Sequence, residues 1–194
     1  MWHKNGVSPQ FKARRLRPPL DEAALKELAI RYVGKYATTR AKLCVYLARK
    51  IHERGWRGDK PADLEALANR FAELGYVDDS AFAMSRSHAL AARGYGKRRL
   101  TEQLRLAGVC DEDGRDAIES ADTNAVTAAL RFARRRRFGP FAVEPADRLA
   151  REKAMAAMVR AGHDFSLARK IVLMKPGELV DLPNLCESSQ VDPA

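Results

Sequence analysis

Residues 64–109 admit little but a helical fold. Leu64, Leu67, Ala68, Phe71 and Leu74 recur at i, i+3, i+4, i+7 and i+10, one face of a helix. Gly75 follows at a C-cap position, where a positive φ is cheap for glycine. Asp78 or Asp79 can cap the next helix by accepting from its free N–H groups. In that helix Phe82, Ser85, Ala89 and Ala92 share a face of small and apolar side chains, and Gly94-Tyr95-Gly96 breaks it. A third helix sets Leu100, Leu104 and Ala107 on one side and Lys97, Arg98, Thr101 and Arg105 on the other, then ends at Gly108. The product is a small helical unit with one apolar seam and one basic face.

The order of these residues identifies a family. Phe71-x-x-Leu74-Gly75-Tyr76-Val77-Asp78-Asp79-x-x-Phe82-Ala83, then Arg93-Gly94-Tyr95-Gly96-x-x-Arg99-Leu100-x-x-x-Leu104-x-x-Ala107-Gly108-Val109, closely resembles the RecX regulatory proteins of bacteria. The resemblance spans roughly residues 25–175, strongest in the middle. It implies an all-α fold of tandem three-helix repeats, each similar to a helix-turn-helix, in an elongated, curved array. It also implies the partner: a RecA recombinase filament on DNA, inhibited in recombinase, ATPase and co-protease activity, which modulates recombination and DNA repair.

The flanking chain is also helical. Asp21 can cap a helix whose stripe is Leu25, Leu28, Ala29 and Tyr32, and a Thr near position 39 can cap a second with Leu43, Leu47 and Ile51 inward and Ala41, Cys44 and Val45 nearby. Residues 56–61 read as a Gly/Pro linker. Acidic residues over 111–122 open another helix and suit its positive end. A further helix carries Val126, Ala129, Leu130 and Ala133 into Arg134–Arg137 and stops at Phe138-Gly139-Pro140-Phe141. Stripes at Leu149, Ala154, Ala157 and Met158, and at Phe165, Ala168, Ile171 and Val172, flank a break at Ala161-Gly162-His163.

An internal repeat organises these pieces. Arg93-Gly94 through Leu104 lays over Ala161-Gly162 through Val172, Gly94 on Gly162, and residues 35–47 make a looser copy. Small units of this kind bury too little alone and stack to share cores. The expected organisation is a basic flexible leader at 1–20, a short first repeat at 21–56, a second at 62–109, a third at 110–175 and an acidic flexible tail at 176–194.

Composition narrows the function. Of 194 residues, 31% are charged and the formal net charge is +10, which favours an anionic partner. The three cysteines, Cys44, Cys110 and Cys186, are widely spaced and read as reduced thiols of a cytoplasmic protein. No apolar run reaches the ~18 residues of a membrane span, and residues 1–6 lack a signal-peptide core. The expected location is the cytoplasm, with no membrane partner and a monomeric state.

No catalytic, metal or cofactor-binding set assembles. His3, His52, His88 and His163 lack metal-ligand spacing and read as surface or turn residues. Gly94-Tyr95-Gly96 follows no strand and has no third glycine, and no Walker motif occurs, so an enzyme is the last choice. The candidate contacts to RecA or DNA are Lys97, Arg98, Arg99 and Arg105, then Arg134, Arg135, Arg136 and Arg137, then Arg160, Arg169 and Lys170, with Tyr95 among them as a stacking or packing ring. The competing reading is a helix-turn-helix-like protein acting on DNA directly, non-specifically on single or double strands, with Arg98 or Arg99 at guanine edges.

Overall fold

The computed structural model describes residues 18–181 and Leu185. The leader before residue 18 and most of the tail after 181, with His3 and Cys186, lie outside the described residues. Those described are all-α: α1 Glu22–Val33, α2 Arg40–Arg54, α3 Leu64–Glu73, α4 Asp79–Ala92, α5 Lys97–Leu106, α6 Asp111–Thr123, α7 Ala125–Arg136, α8 Arg148–Arg160 and α9 Phe165–Leu173. A 3-10 turn at Gly139–Phe141 interrupts the path from α7 to α8, and an isolated bridge pairs Leu20 with Trp56.

Carboxylate caps start most of these helices. Asp21, Asp63, Asp78, Asp147 and Asp164 each accept from a backbone N–H two or three residues on, and Thr39 does the same for α2. Gly75 ends α3 at φ 73°, and the Tyr76 N–H reaches back to the Phe71 carbonyl in a Schellman-type closure.

Three hydrophobic cores form, and each gathers three consecutive helices. Leu25, Leu43, Leu47, Ala68 and Phe71 join α1, α2 and α3. Ala83, Leu90, Leu100, Leu104 and Ala117 join α4, α5 and α6. Ala129, Phe132, Met158, Leu167 and Ile171 join α7, α8 and α9. The grouping by core thus differs from the sequence division at 57–61 and 110. α3 folds back on α2, where the Cys44 thiol meets the Leu64 carbonyl at 3.4 Å, instead of packing with α4. The loop that permits this is short and self-closed, since Trp56 Nε1 donates to the Lys60 carbonyl. Likewise α6 packs on α4, and the Ser87 hydroxyl donates to the Ala117 carbonyl in the buried seam.

Two ends differ from the sequence expectation for the same reason. Leu20, inside the expected leader, is fully buried, and its N–H donates to the Gly55 carbonyl. Leu185 and Val180, in the expected tail, pack on the third core. Isolated apolar residues among prolines and charges carry no period to reveal them.

Several residues on the expected stripes, and Val45 beside one of them, turn outward. Val45, Leu74, Leu149 and Phe165 are exposed. In α4 the buried side is Phe82, Ala83, Ser87 and Leu90, whereas Ser85, Ala89 and Ala92 are exposed. Small residues cover both sides of α4, so spacing alone does not choose between them. Asp79, adjacent to the cap Asp78, is also buried.

Candidate partner-binding surface

α5 is the most basic helix of the middle unit, and its placement depends on the third unit. Gly96 is its N-cap and supplies no side-chain bond. Instead the Gly96 N–H donates to the Ala161 carbonyl at 2.9 Å and the Arg98 N–H to the Gly162 carbonyl at 3.2 Å. The repeat breaks that overlay in sequence therefore touch in space. The approach is close: a Cβ on Gly96 would lie 2.3 Å from the Gly162 carbonyl oxygen.

This contact leaves the basic side of α5 outward. Arg98, Arg99 and Arg105 are exposed, while Leu100 and Leu104 face the core. Lys97 pairs with Asp122 at 3.1 Å, so the acidic α6 does meet a basic helix, and Arg99 pairs with Glu102 at 2.5 Å. Arg98 and Arg105 have no carboxylate within 4 Å among the described residues. Such exposed pairs contribute at most about 1 kcal/mol, and they leave the face net positive.

The second basic run does not make one stripe. Arg134 lies over Phe141 at 4.9 Å, and Arg135 and Arg136 lie over Phe132 at 5.5 and 5.8 Å. Arg137 ends the helix in the left-handed region at φ 57°. Tyr95 is half-buried between the second and third cores, with Arg93 5.1 Å and Arg135 5.9 Å from its ring centre. The structure thus joins Tyr95 and Arg135 and adds Arg93 and Arg131, whose guanidinium donates to the Ala91 carbonyl. Sequence reasoning missed these two, although Arg93 precedes the turn glycine and Arg131 lies one helical turn before Arg135. Arg160 and Arg169 are exposed on α8 and α9, and Lys170 is half-buried. Arg105 and Arg169 are not drawn into contact with the other clusters.

His163 locks the junction from inside. It is 1% exposed, so it is a turn residue as expected but not a surface one. Its Nε2 lies 3.0 Å from the Gly94 carbonyl, which can only accept, so Nε2 carries the proton of the neutral ring. Burial pushes its pKa below the ordinary histidine value, partly countered by that hydrogen bond. The unfolded chain therefore binds the proton more readily. Stability is complete above about pH 6.5 and falls as pH drops below it toward the depressed folded-state pKa. Thermal melts between about pH 7.5 and pH 5 should show a falling Tm, and His163→Gln should flatten the slope. An unchanged slope in that variant would assign the acid sensitivity to other groups.

Among the described residues no three His, Cys, Asp or Glu side chains group to hold a metal, and no helix is long and apolar enough to cross a membrane.

No protein-family model matches the chain. Over 160 residues it is 32% identical to the regulatory protein RecX of Myxococcus xanthus (strain DK1622), covering 78% of this chain and 86% of that relative. The chain belongs to the RecX family of regulatory proteins. A RecX of Mycobacterium sp. (strain JLS) is 35% identical over 162 residues, covering 81% and 86% of the two chains. The fold agrees with solved RecX structures. The RecX of Lactobacillus salivarius superposes with a TM-score of 0.56 at 17% identity, covering 77% of this chain and 93% of the other. A second RecX crystal structure gives 0.54 at 20% identity, covering 77% and 70%.

Proposed function

We propose that this chain binds the RecA filament on DNA and restrains its ATPase, recombinase and co-protease activities without chemistry of its own. RecX family membership, over most of the chain, is the observation that carries this reading. Three consecutive helical units with outward cations would suit a filament groove lined by acidic protein surface and DNA phosphate. Bridging adjacent RecA protomers there would hinder turnover and favour disassembly. The working state is a cytoplasmic monomer.

The packing of α5 speaks against the helix-turn-helix alternative. A recognition helix enters the major groove with its N-terminal residues leading. Here the α5 N-terminus is occupied by the 161–162 carbonyls of the third unit.

RecA ATPase on single-stranded DNA, titrated with this protein at two salt concentrations, tests the proposal. Inhibition well below one copy per RecA protomer is expected; no inhibition together with binding to naked DNA would move the assignment to a DNA-binding protein. Charge reversal of Arg98, Arg99 and Arg105 together should weaken inhibition about tenfold or more with an unchanged circular dichroism spectrum. Full inhibition by that variant would remove the α5 face from the interface.

A further inference from the structure

The second and third units meet at a joint built mostly of backbone. The Gly96 and Arg98 N–H groups donate across it to the Ala161 and Gly162 carbonyls. Gly94 lies so close to α7 that a Cβ there would stand 2.8 Å from the Phe132 nitrogen. Few side chains take part. Tyr95 is the one residue of the second unit, among those described, that packs against the third core. His163 supplies the other buried contact, through its bond to the Gly94 carbonyl. Along the chain a single residue, Asn124, separates α6 from α7. The joint can therefore open with little loss of buried apolar area, and each unit keeps its own core.

A proton on His163 finds no compensating charge at this joint. On its own loop the next residue, Asp164, already accepts from Ser166 and from the Leu167 N–H. From α7, Arg135 and Arg136 lie over the Phe132 ring, whose centre is 5.6 Å from that of the imidazole. Arg131, on the same helix, reaches the Ala91 carbonyl. From the turn before α5, Arg93 faces Tyr95, and on α5 the Lys97 and Arg99 cations hold Asp122 and Glu102. Arg160, at the end of α8, is exposed. The neighbouring charges are thus cations, or carboxylates already engaged. Protonation would strengthen the Nε2 bond to Gly94, but burial outweighs that bond, so the charged ring favours water over this site. The joint between the first and second units is built differently. Arg40 crosses it to Asp79 and Asp113, and the Asp113 carboxyl is held below its usual pKa by the Cys110 thiol and also by Ser80 and Arg40. Asp113 therefore keeps its charge in mild acid.

We propose that the joint between the second and third units is an acid-operated hinge: a proton on His163 opens it and frees the third unit to turn about Asn124, while the first two units stay locked together. Opening hydrates the ring. The open population therefore rises up to about tenfold for each pH unit below about 6.5, until the closed joint also accepts the proton. Above that pH the joint is closed. Opening bares the Tyr95 and Phe132 rings and the start of α5. A rigid body of three units becomes a body of two with a movable third. Mild acid thus changes the spacing between the basic side chains of α5 and those of α7 before any core is lost. The hinge belongs to the fold and does not depend on the RecA reading.

Hydrogen exchange of the full chain, followed amide by amide by NMR at pH 7.5, 6.5 and 5.5 and corrected for the intrinsic rate, tests it. Protection of the Gly96 and Arg98 amides should fall about three- to tenfold from the highest pH to the lowest, while the amides of Leu47 in α2 and Ile171 in α9 hold theirs. In His163→Gln the side-chain amide can still donate to the Gly94 carbonyl but does not titrate. There the Gly96 and Arg98 protection should be independent of pH, whatever its level. An equal loss at Leu47 and Ile171 overturns the hinge in favour of global unfolding. Unchanged protection at Gly96 and Arg98 in the unaltered chain, or the same fall in the glutamine variant, overturns the role of His163. If the variant does not fold, the ring titration of the unaltered chain decides. An imidazole pKa at or above about 6.5 overturns the hinge, and a lower one, together with the fall at Gly96 and Arg98, upholds it.

Discussion

Gly162→Ala should lower the melting temperature by about 10 °C or more. Gly162 sits at φ 92°, where a side chain is strained by about 1–2 kcal/mol before any contact is counted. The new Cβ would also lie 2.4 Å from the Arg99 nitrogen and 2.8 Å from its Cβ, at the start of α5. Those atoms belong to a helix packed by Leu100 and Leu104, so they cannot swing aside as a flexible side chain would. The second and third units would have to separate locally, losing the bonds from the Gly96 and Arg98 N–H groups and straining the one from His163. Together these terms come to about 4 kcal/mol, at about 2–4 °C per kcal/mol for a protein of this size. Gly75→Ala is the control, since its φ of 73° is similar but no atom lies within 4 Å of the added Cβ. It should cost about 1–2 kcal/mol. Melts of the two variants by circular dichroism decide the matter: equal shifts would mean that strain, and not the closeness of the units, dominates.

Asp79→Ala should be strongly destabilising for the loss of one charged side chain. Arg40, the first residue of α2, donates its backbone N–H to Asp79 at 3.0 Å and its Nε at 3.3 Å, and its Nη2 donates to Asp113 at 2.5 Å. One guanidinium thus ties α2 of the first unit to α4 and α6 of the second. Burial disfavours the Arg40 charge, but the two carboxylates outweigh it and raise its pKa. The Asp79 side chain is only 3% exposed, so it cannot be replaced by water at no cost. Removing either partner of this pair should cost about 3 kcal/mol, a drop in Tm of roughly 6–12 °C. Asp113→Ala, at a more exposed carboxylate, should cost about 1 kcal/mol. Arg40→Lys should not rescue, because one ammonium cannot reproduce the planar fork that spans both acids. A double-mutant cycle for Arg40 and Asp79 that gives no coupling energy would refute the joint. Thr39 supports the same joint, its hydroxyl donating to the Ala107 carbonyl at 2.6 Å.

Much of the local structure was legible. Apolar spacing located the helices, and the chemistry of Asp21, Asp78, Gly75 and the glycines at 94, 96 and 162 located their ends. The ordered motif from Phe71 to Val109 carried the family, and the outward basic side of α5 followed from Leu100 and Leu104 being inward. The overlay of Gly94 on Gly162 marked the repeat without revealing that the two breaks meet.

What the sequence by itself determined, then, is part of what depends on neighbours within about four residues: helix positions, the caps at Asp21, Thr39 and Asp78, the breaks, and the inward side of α5 that Leu100 and Leu104 set. Tertiary structure alone decided which helices share a core, so that α3 joined α2 and α6 joined α4. It also separated two adjacent aspartates, Asp78 capping at the surface and Asp79 buried against Arg40. It left Ser85 and Ala89, a presumed seam, on the exposed side of α4. The reason is physical: helical period fixes which residues lie on one side of a helix, but small side chains and single charges fit either core or solvent. Only contacts between residues far apart in the chain settle which of the two they meet.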